Sequence, residues 1–241
     1  MIALFTDFGV VDSYVGQVHA RLHAHAPDVS IIDLFHGVTP FNVCAAAYLL
    51  PAYASALPRG TVFLCVVDPG VGSDRRAIYL EADGQWFVGP DNGLFTLIVR
   101  HAQVSRSWEI LWRPESMSST FHGRDLFAPV AAELALGRRP MAREAQVDPR
   151  PEWPDDLPEV IHVDHYGNAV TGLRAATIPR QTLLRFGDGG LTVASAGYYA
   201  KRDTGELFWY ENANGLVEIA ATRASAAGRH ALAVGTRIIC I

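Results

Sequence analysis

The chain has 241 residues, 49% of them apolar, with 20 Lys and Arg against 25 Asp and Glu and a formal net charge of −5. This composition suits a globular protein with a sizeable core, and its scattered basic residues form no patch of the kind that nucleic-acid binding requires. No apolar run approaches the roughly 18 residues of a membrane span, and Met1 leads straight into a strand-like segment without a charged leader, so a cytoplasmic protein with no membrane contact is expected.

The run Ile2–Thr6 is continuously apolar and stops at Asp7-Phe8-Gly9, the pattern of a parallel strand that ends in a polar turn. From Ser13 to His25 the residues Tyr14, Val15, Val18 and Leu22 fall at helical spacing, and Pro27 closes the segment. Val29–Leu34 reads as a second strand and Asn42–Tyr53, rich in Ala and Leu, as a second helix after the turn at Thr39-Pro40. Val62–Val67 is a third strand, and it delivers Asp68 into the turn Asp68-Pro69-Gly70-Val71-Gly72, with Arg75 and Arg76 close behind. A βαβαβ order predicts an α/β layer with a mostly parallel sheet, whose ligands lie beyond the carboxyl ends of the strands. Asp7 and Asp68 share that edge.

Further on, Ala77–Glu81 and Gln85–Val88 flank the hairpin signal Asp83-Gly84, Leu94–Arg100 and Phe127–Leu136 read as helices, and residues 138–158 hold Pro140, Pro149, Pro151, Pro154 and Pro158. Beyond them come short β-type runs, Val160–Val163, Gly190–Ala194, Leu207–Tyr210 and Arg237–Cys240, separated by Gly and Asn turns. The predicted organisation is an α/β domain over 1–140, a Pro-rich linker over 141–158 and a smaller all-β, barrel-like domain over 159–241.

Cys44, Cys65 and Cys240 are too widely spaced for a disulfide framework or a CxxC metal site and read as small buried hydrophobes. The chain has no GxxxxGK[ST], no GxGxxG opening a helix after the first strand, no HExxH and no GxSxG, which speaks against nucleotide-phosphate, zinc and serine-nucleophile chemistry. What remains is a set of polar residues at loop positions: Asp7, Asp12, Asp68, Arg75, Asn92, His122, Arg124 and Asp125. Singly, each reads as a cap or a surface ion pair. As a set they line one edge of a sheet, where an Asp–Arg–His grouping could orient a water, the arginine holding the acid ionised and the imidazole sharing protons near neutral pH.

Thr6-Asp7-Phe8-Gly9, Val67-Asp68-Pro69-Gly70-Val71-Gly72 with Arg75-Arg76, Gly89-Pro90-Asp91-Asn92-Gly93, Phe121-His122-Gly123-Arg124-Asp125-Leu126-Phe127-Ala128-Pro129 and Asp164-His165-Tyr166-Gly167-Asn168 follow one another as in a known family. From Ile2 to about Ala227 the chain resembles the S-adenosyl-L-methionine hydrolases, or hydroxide adenosyltransferases, relatives of the fluorinases and chlorinases. The resemblance implies an N-terminal α/β domain, a C-terminal β-barrel and a homotrimer that holds substrate between domains of neighbouring subunits. It implies hydrolysis of S-adenosyl-L-methionine to adenosine and L-methionine with no cofactor or metal. Asp68, Arg75 and His122 would activate water. Asp7 would hold the ribose hydroxyls with Phe41 near the sugar, Asp12 and Asp164 would bind the methionine ammonium, Tyr166 would stack on adenine and Asn168 would read its edge. Arg223 lies in the segment Ala221–Ser225 that would bind methionine. Ala213 departs from the serine expected there. The halogenases resemble a sequence with a non-acidic residue at Asp68 and a small polar group at Gly123, so the hydrolase is preferred over a halogenase; a non-catalytic adenosyl-binding protein, whose pocket residues would be the same, stays an alternative.

Overall fold

The computed structural model describes residues 1–187, 190–197 and 203–241. Two units are considered in turn, Met1–Arg150 and Pro151–Ile241.

The apolar runs near the start of the first unit become β1 (Ile2–Thr6), β2 (Ile31–Phe35) and β3 (Val62–Val66), connected through α1 (Tyr14–His25) and α2 (Val43–Ala54). Next come β4 (Ala77–Ala82), β5 (Gln85–Pro90), α3 (Thr96–His101), β6 (Ser105–Ile110), a π-helical turn (Gly123–Phe127) that runs into α4 (Ala128–Ala135), and β7 (Ala142–Glu144). The strands make one sheet in the order β2-β1-β3-β5-β4-β6-β7. Pairing is parallel from β2 to β5 and antiparallel from β5 to β7, so the sheet is mixed. The reversal occurs at the hairpin Asp83-Gly84, where both residues have positive φ, as a tight hairpin with the native strand twist demands.

Both faces of β1 and β3 are covered, which is why their sequences are uninterrupted apolar runs rather than alternating ones. Ile2, Leu4, Val62, Leu64 and Val66 pack with Val18 and Leu22 of α1 and with Val130, Ala131 and Leu134 of α4. On alternate positions, Phe5 meets Tyr53 of α2 edge-on at 6.2 Å and Phe63 stacks on Phe87 at 4.8 Å. Burying each such side chain contributes about 1.5–3 kcal/mol. α2 starts where the Asn42 side chain accepts from the Ala45 amide at 2.9 Å, a cap that contributes about 1 kcal/mol.

The Pro-rich stretch begins with β7, paired to β6, and Asp148 bonds back through its amide to the Asp91 carboxylate at 2.9 Å.

The second unit contains β8 (Leu157–Val163), β9 (Ala169–Arg174), β10 (Leu184–Phe186), β11 (Leu191–Val193), β12 (Leu207–Glu211), β13 (Leu216–Ala221), α5 (Ala226–His230) and β14 (Ile238–Cys240). They form two antiparallel sheets, β12-β13-β9-β8 and β11-β10-β14. Single bridges, Glu159 to Arg237 and Ser195 to Trp209, join the sheets at both margins and give the barrel-like closure around Val160, Leu173, Phe186, Trp209 and Ile219. Of the three thiols expected to be buried, Cys65 is buried, Cys44 is half-buried and Cys240, on β14, is exposed.

Candidate active site

Thr6 of β1 lies opposite Val66 of β3 in parallel register, so Asp7 and Asp68 leave the sheet side by side from adjacent strands. After Asp68 the chain folds back through two consecutive turn bonds, Val71 amide to Asp68 carbonyl at 3.2 Å and Ser73 amide to Gly70 carbonyl at 3.1 Å. Gly72 takes φ +82°, and a Cβ there would lie 2.6 Å from the Ser119 carbonyl oxygen, so only glycine lets this turn rest against the loop of residues 118–122.

The turn returns the Arg75 guanidinium to Asp68. Nε donates to Oδ1 at 2.9 Å and Nη2 donates to Oδ2 at closer range, a bidentate pair. The two side chains are only 10% and 5% exposed. Nη2 also donates to His122 Nδ1 at 2.9 Å, and the Phe127 ring lies under the guanidinium at 5.2 Å. A guanidinium has no acceptor, so Nδ1 must accept and the neutral imidazole carries its proton on Nε2. Burial and then the Arg75 charge hold the His122 pKa below the ordinary imidazole value. With Nδ1 held by Arg75, the imidazole offers Nε2–H as its donor, and its proton exchange is shifted below the ordinary imidazole range.

His122 stands at the start of the π-helical turn, a rare geometry often found at functional sites. Asp125 holds that turn. Its carboxylate accepts from Arg124 Nε and Nη2 at 2.7 and 2.8 Å and from the Ser118 amide at 2.9 Å. The Arg124 bonds, chiefly, pull its pKa to about 2. Arg124 and Asp125 therefore brace the His122 loop, and Asn92 braces the end of β3 by donating to the Val67 carbonyl at 2.9 Å.

Asp7 accepts from the Phe41 amide at 2.9 Å. Burial pushes its pKa up, the Phe41 bond partly opposes this, and the neighbouring Asp68 adds to the rise. Phe41 has φ +66°, a strained value for a bulky residue, and the residue is 73% exposed. Asp7, Phe41, Asp68 and His122 line a cleft of about 270 Å³ together with Tyr14 and Phe121. Phe8, Tyr14 and Phe121 meet in tilted or edge-on pairs with centroids 5.3–5.7 Å apart. Sequence reasoning had given Tyr14 only to the apolar face of α1; its place one turn after a strand-end acid was the available signal. Arg75 closes the cluster from behind Asp68. Asp12 is exposed in the loop before α1 and is not among the residues lining this cleft.

Asp164, Tyr166, Asn168 and Arg223 belong to the second unit. Asp164 organises the β8–β9 turn: Oδ1 accepts from the Tyr166 and Asn168 amides at 2.9 and 2.7 Å, and Oδ2 accepts from Asn168 Nδ2 at 2.9 Å. One lone-pair direction on Oδ2 remains for a further donor. The Tyr166 residue is 75% exposed. Arg223 occupies the left-handed region at φ +52°. The helix that follows it, α5, touches the Asp164 turn, since the Ala227 amide donates to the Gly167 carbonyl at 2.8 Å. Among the described residues no group of three or more His, Cys, Asp or Glu could hold a metal.

Residues 2–143 match the SAM hydroxide adenosyltransferase N-terminal domain family and residues 158–239 the corresponding C-terminal domain family. An "(R)-S-adenosyl-L-methionine hydrolase" of Thermus thermophilus is 38% identical over 245 residues, covering 93% of each chain. One from Salinispora arenicola is 35% identical over 255 residues, covering 98% of this chain and 96% of its own. A fluorinase of Nocardia brasiliensis is 26% identical over 219 residues, covering 75% and 73%. Among solved structures, an uncharacterized conserved protein from Thermotoga maritima matches with TM-score 0.90 and 33% identity over the full length of both chains.

Proposed function

The chain belongs to the SAM hydroxide adenosyltransferase family, and from that membership and the Asp68–Arg75–His122 cluster we propose how it works. It is a hydrolase that converts S-adenosyl-L-methionine to adenosine and L-methionine. Water attacks the ribose 5′ carbon in line, the C–S bond breaks and its electron pair stays on sulfur, which leaves as the neutral thioether. The sulfonium is already an excellent leaving group, so the protein has to exclude bulk solvent, align one water and receive its proton.

Asp68 is the acceptor. Both of its oxygens are engaged by Arg75, Oδ2 by Nη2 and by Nε at 3.1 Å and Oδ1 by Nε alone, so Oδ1 keeps a second lone pair for the attacking water. Arg75 fixes the carboxylate, and neutral His122 offers Nε2–H as a donor. Asp7, held by the Phe41 amide, grips the ribose diol, and Phe41 flanks the sugar. Tyr166 stacks on adenine, Asn168 reads its edge, Asp12 and Asp164 meet the methionine ammonium and Arg223 its carboxylate. These two groups of residues meet across subunits of a homotrimer in the cytoplasm. The exposed aromatic residues Phe41 and Tyr166 support this assembly, since exposed aromatic surface marks contact with a ligand or partner. The relatives' printed name, "(R)-S-adenosyl-L-methionine hydrolase", supports the (R) epimer as the preferred substrate.

The halogenase reading is weaker. An acid at Asp68 repels a halide nucleophile, and a side chain at Gly123 would crowd the Phe8 and Phe121 rings, which lie 3.1 and 3.4 Å from the place of its Cβ.

The observation that carries the proposal is the buried Arg75 fork joining Asp68 to His122. Incubating purified protein with each sulfonium epimer, with and without chloride, should yield adenosine and methionine. A 5′-chlorinated nucleoside, or binding without turnover, would overturn the hydrolytic reading, and light scattering showing an active monomer would overturn the shared site.

A further inference from the structure

His122 lines two cavities. On one side is the substrate cleft; on the other is a cavity of about 290 Å³ bordered by Gly72, Ser73, Arg75, Arg113 and Ser119. Gly72, Ser73 and Ser119 are exposed, so this second cavity opens to solvent at their end. We propose that it is a water and proton port, through which water reaches the Asp68–Arg75–His122 cluster and the proton of hydrolysis leaves while substrate fills the cleft. The proposal rests on the hydrolytic reading above.

The charge balance requires such an exit. The substrate carries one sulfonium charge, the products are neutral overall, and one proton is released at each turnover. That proton passes from water to Asp68 as the O–C5′ bond forms. It cannot continue through the imidazole, whose Nδ1 is occupied by Arg75. The bare Gly70 offers another path. A Cβ on Gly70 would meet Ser73 Oγ at 3.3 Å, Arg75 Cγ at 3.6 Å and Asp68 Oδ1 at 3.9 Å, so a methyl group there would fall between the carboxylate and a hydroxyl that lines the second cavity. Gly70 does not have positive φ, so the backbone does not demand glycine there.

The cavity suits water. Its walls offer the Ser119 hydroxyl and the oxygen of Ser73, whose own proton goes to the Gly70 carbonyl at 2.6 Å, and its volume holds several molecules at roughly 30 Å³ of liquid volume each. No carboxylate lines it, and the Arg75 and Arg113 guanidinium groups that border it repel a proton that reaches it towards solvent. Arg113 is held at the wall by the Ile110 and Trp112 carbonyls at 2.7 and 2.8 Å, which keeps its side chain in place.

Gly70→Ala blocks the path beside Asp68 and Ser119→Phe fills the mouth, at separate points, so a folding failure in one leaves the other informative. With enzyme in excess over substrate, adenosine is followed by rapid quench and the bulk proton by an indicator dye in weak buffer. The wild type should release the proton at the rate of adenosine formation. In both variants the proton should lag adenosine by about tenfold or more and appear with product release; retained substrate binding with lost cleavage would equally support the port. A proton that keeps pace with adenosine in the variants, a wild-type proton that waits for product release, or joint loss of binding and cleavage would overturn it. Absence of adenosine from the wild type would instead refute the reaction itself.

Discussion

Replacing Asp68 by Asn separates the roles of this carboxylate. Asn keeps the size but loses the charge and turns one oxygen into an N–H₂ that faces the Arg75 donors, at a pair now closed by bonds of 2.9 Å and shorter. Two losses follow. Turnover at saturation should fall about 10²–10⁴-fold for a removed general base, or ~3–5 kcal/mol in the barrier. Stability should also fall by about 3 kcal/mol, because the Arg75 side chain, 10% exposed, is left as an uncompensated buried charge. The double variant Asp68→Asn/Arg75→Met removes that charge, and it should regain most of the stability while staying as slow as Asp68→Asn alone. Urea unfolding measures the first effect, and adenosine formation under saturating substrate the second. Substrate binding should stay within about tenfold of wild type. If Asp68→Asn hydrolysed at the wild-type rate, or if the double variant recovered turnover with stability, the carboxylate would be a structural partner of Arg75 and not the proton acceptor.

The acid limb of kcat/KM should lie below 6.5, since the His122 pKa is lowered from that value, and above 3.8, since the Asp7 pKa is raised from there. Neutral His122 and ionised Asp7 are the competent forms, and both are lost as pH falls; a limb centred at or above 6.5 would contradict the tautomer assigned to His122. Asp125, with its pKa lowered from 3.8 to about 2, contributes stability that is present above 3.8 and lost as pH falls towards 2. Asp125→Asn should therefore cost roughly 2 kcal/mol at neutral pH, read by thermal unfolding, and a change under about 0.5 kcal/mol would remove its bracing role.

The strand-end acids were legible because β1 and β3 are buried on both faces, which writes them into the sequence as unbroken apolar runs that stop at Asp7 and near Asp68. β6, with the sequence SRSWEI, has no such run; its support comes from distant partners, Tyr79 stacked on Trp108 at 5.3 Å and Arg139 over the Trp108 ring at 5.1 Å. β13 was hidden by Glu218, an acid inside an apolar strand, which is buried because Tyr210 and Asn212 both donate to its carboxylate. The π-helical turn at Gly123–Phe127 could not be read from composition, since its geometry follows from the bonds that Asp125 collects from Arg124 and Ser118. The imidazole's role, too, depended on which atom of Arg75 reaches it, and no spacing in the chain encodes that.

Adjacent parallel strands bring Asp7 and Asp68 to one edge with a single guanidinium, Arg75, bonded between Asp68 and His122. The cleft thus keeps an excess negative charge that matches a sulfonium cation on entry. Once the C–S bond has broken, the ligands are neutral and that match is gone, so the chemical step itself weakens the hold on its products. Release is thereby tied to bond cleavage by electrostatics alone, without any moving part.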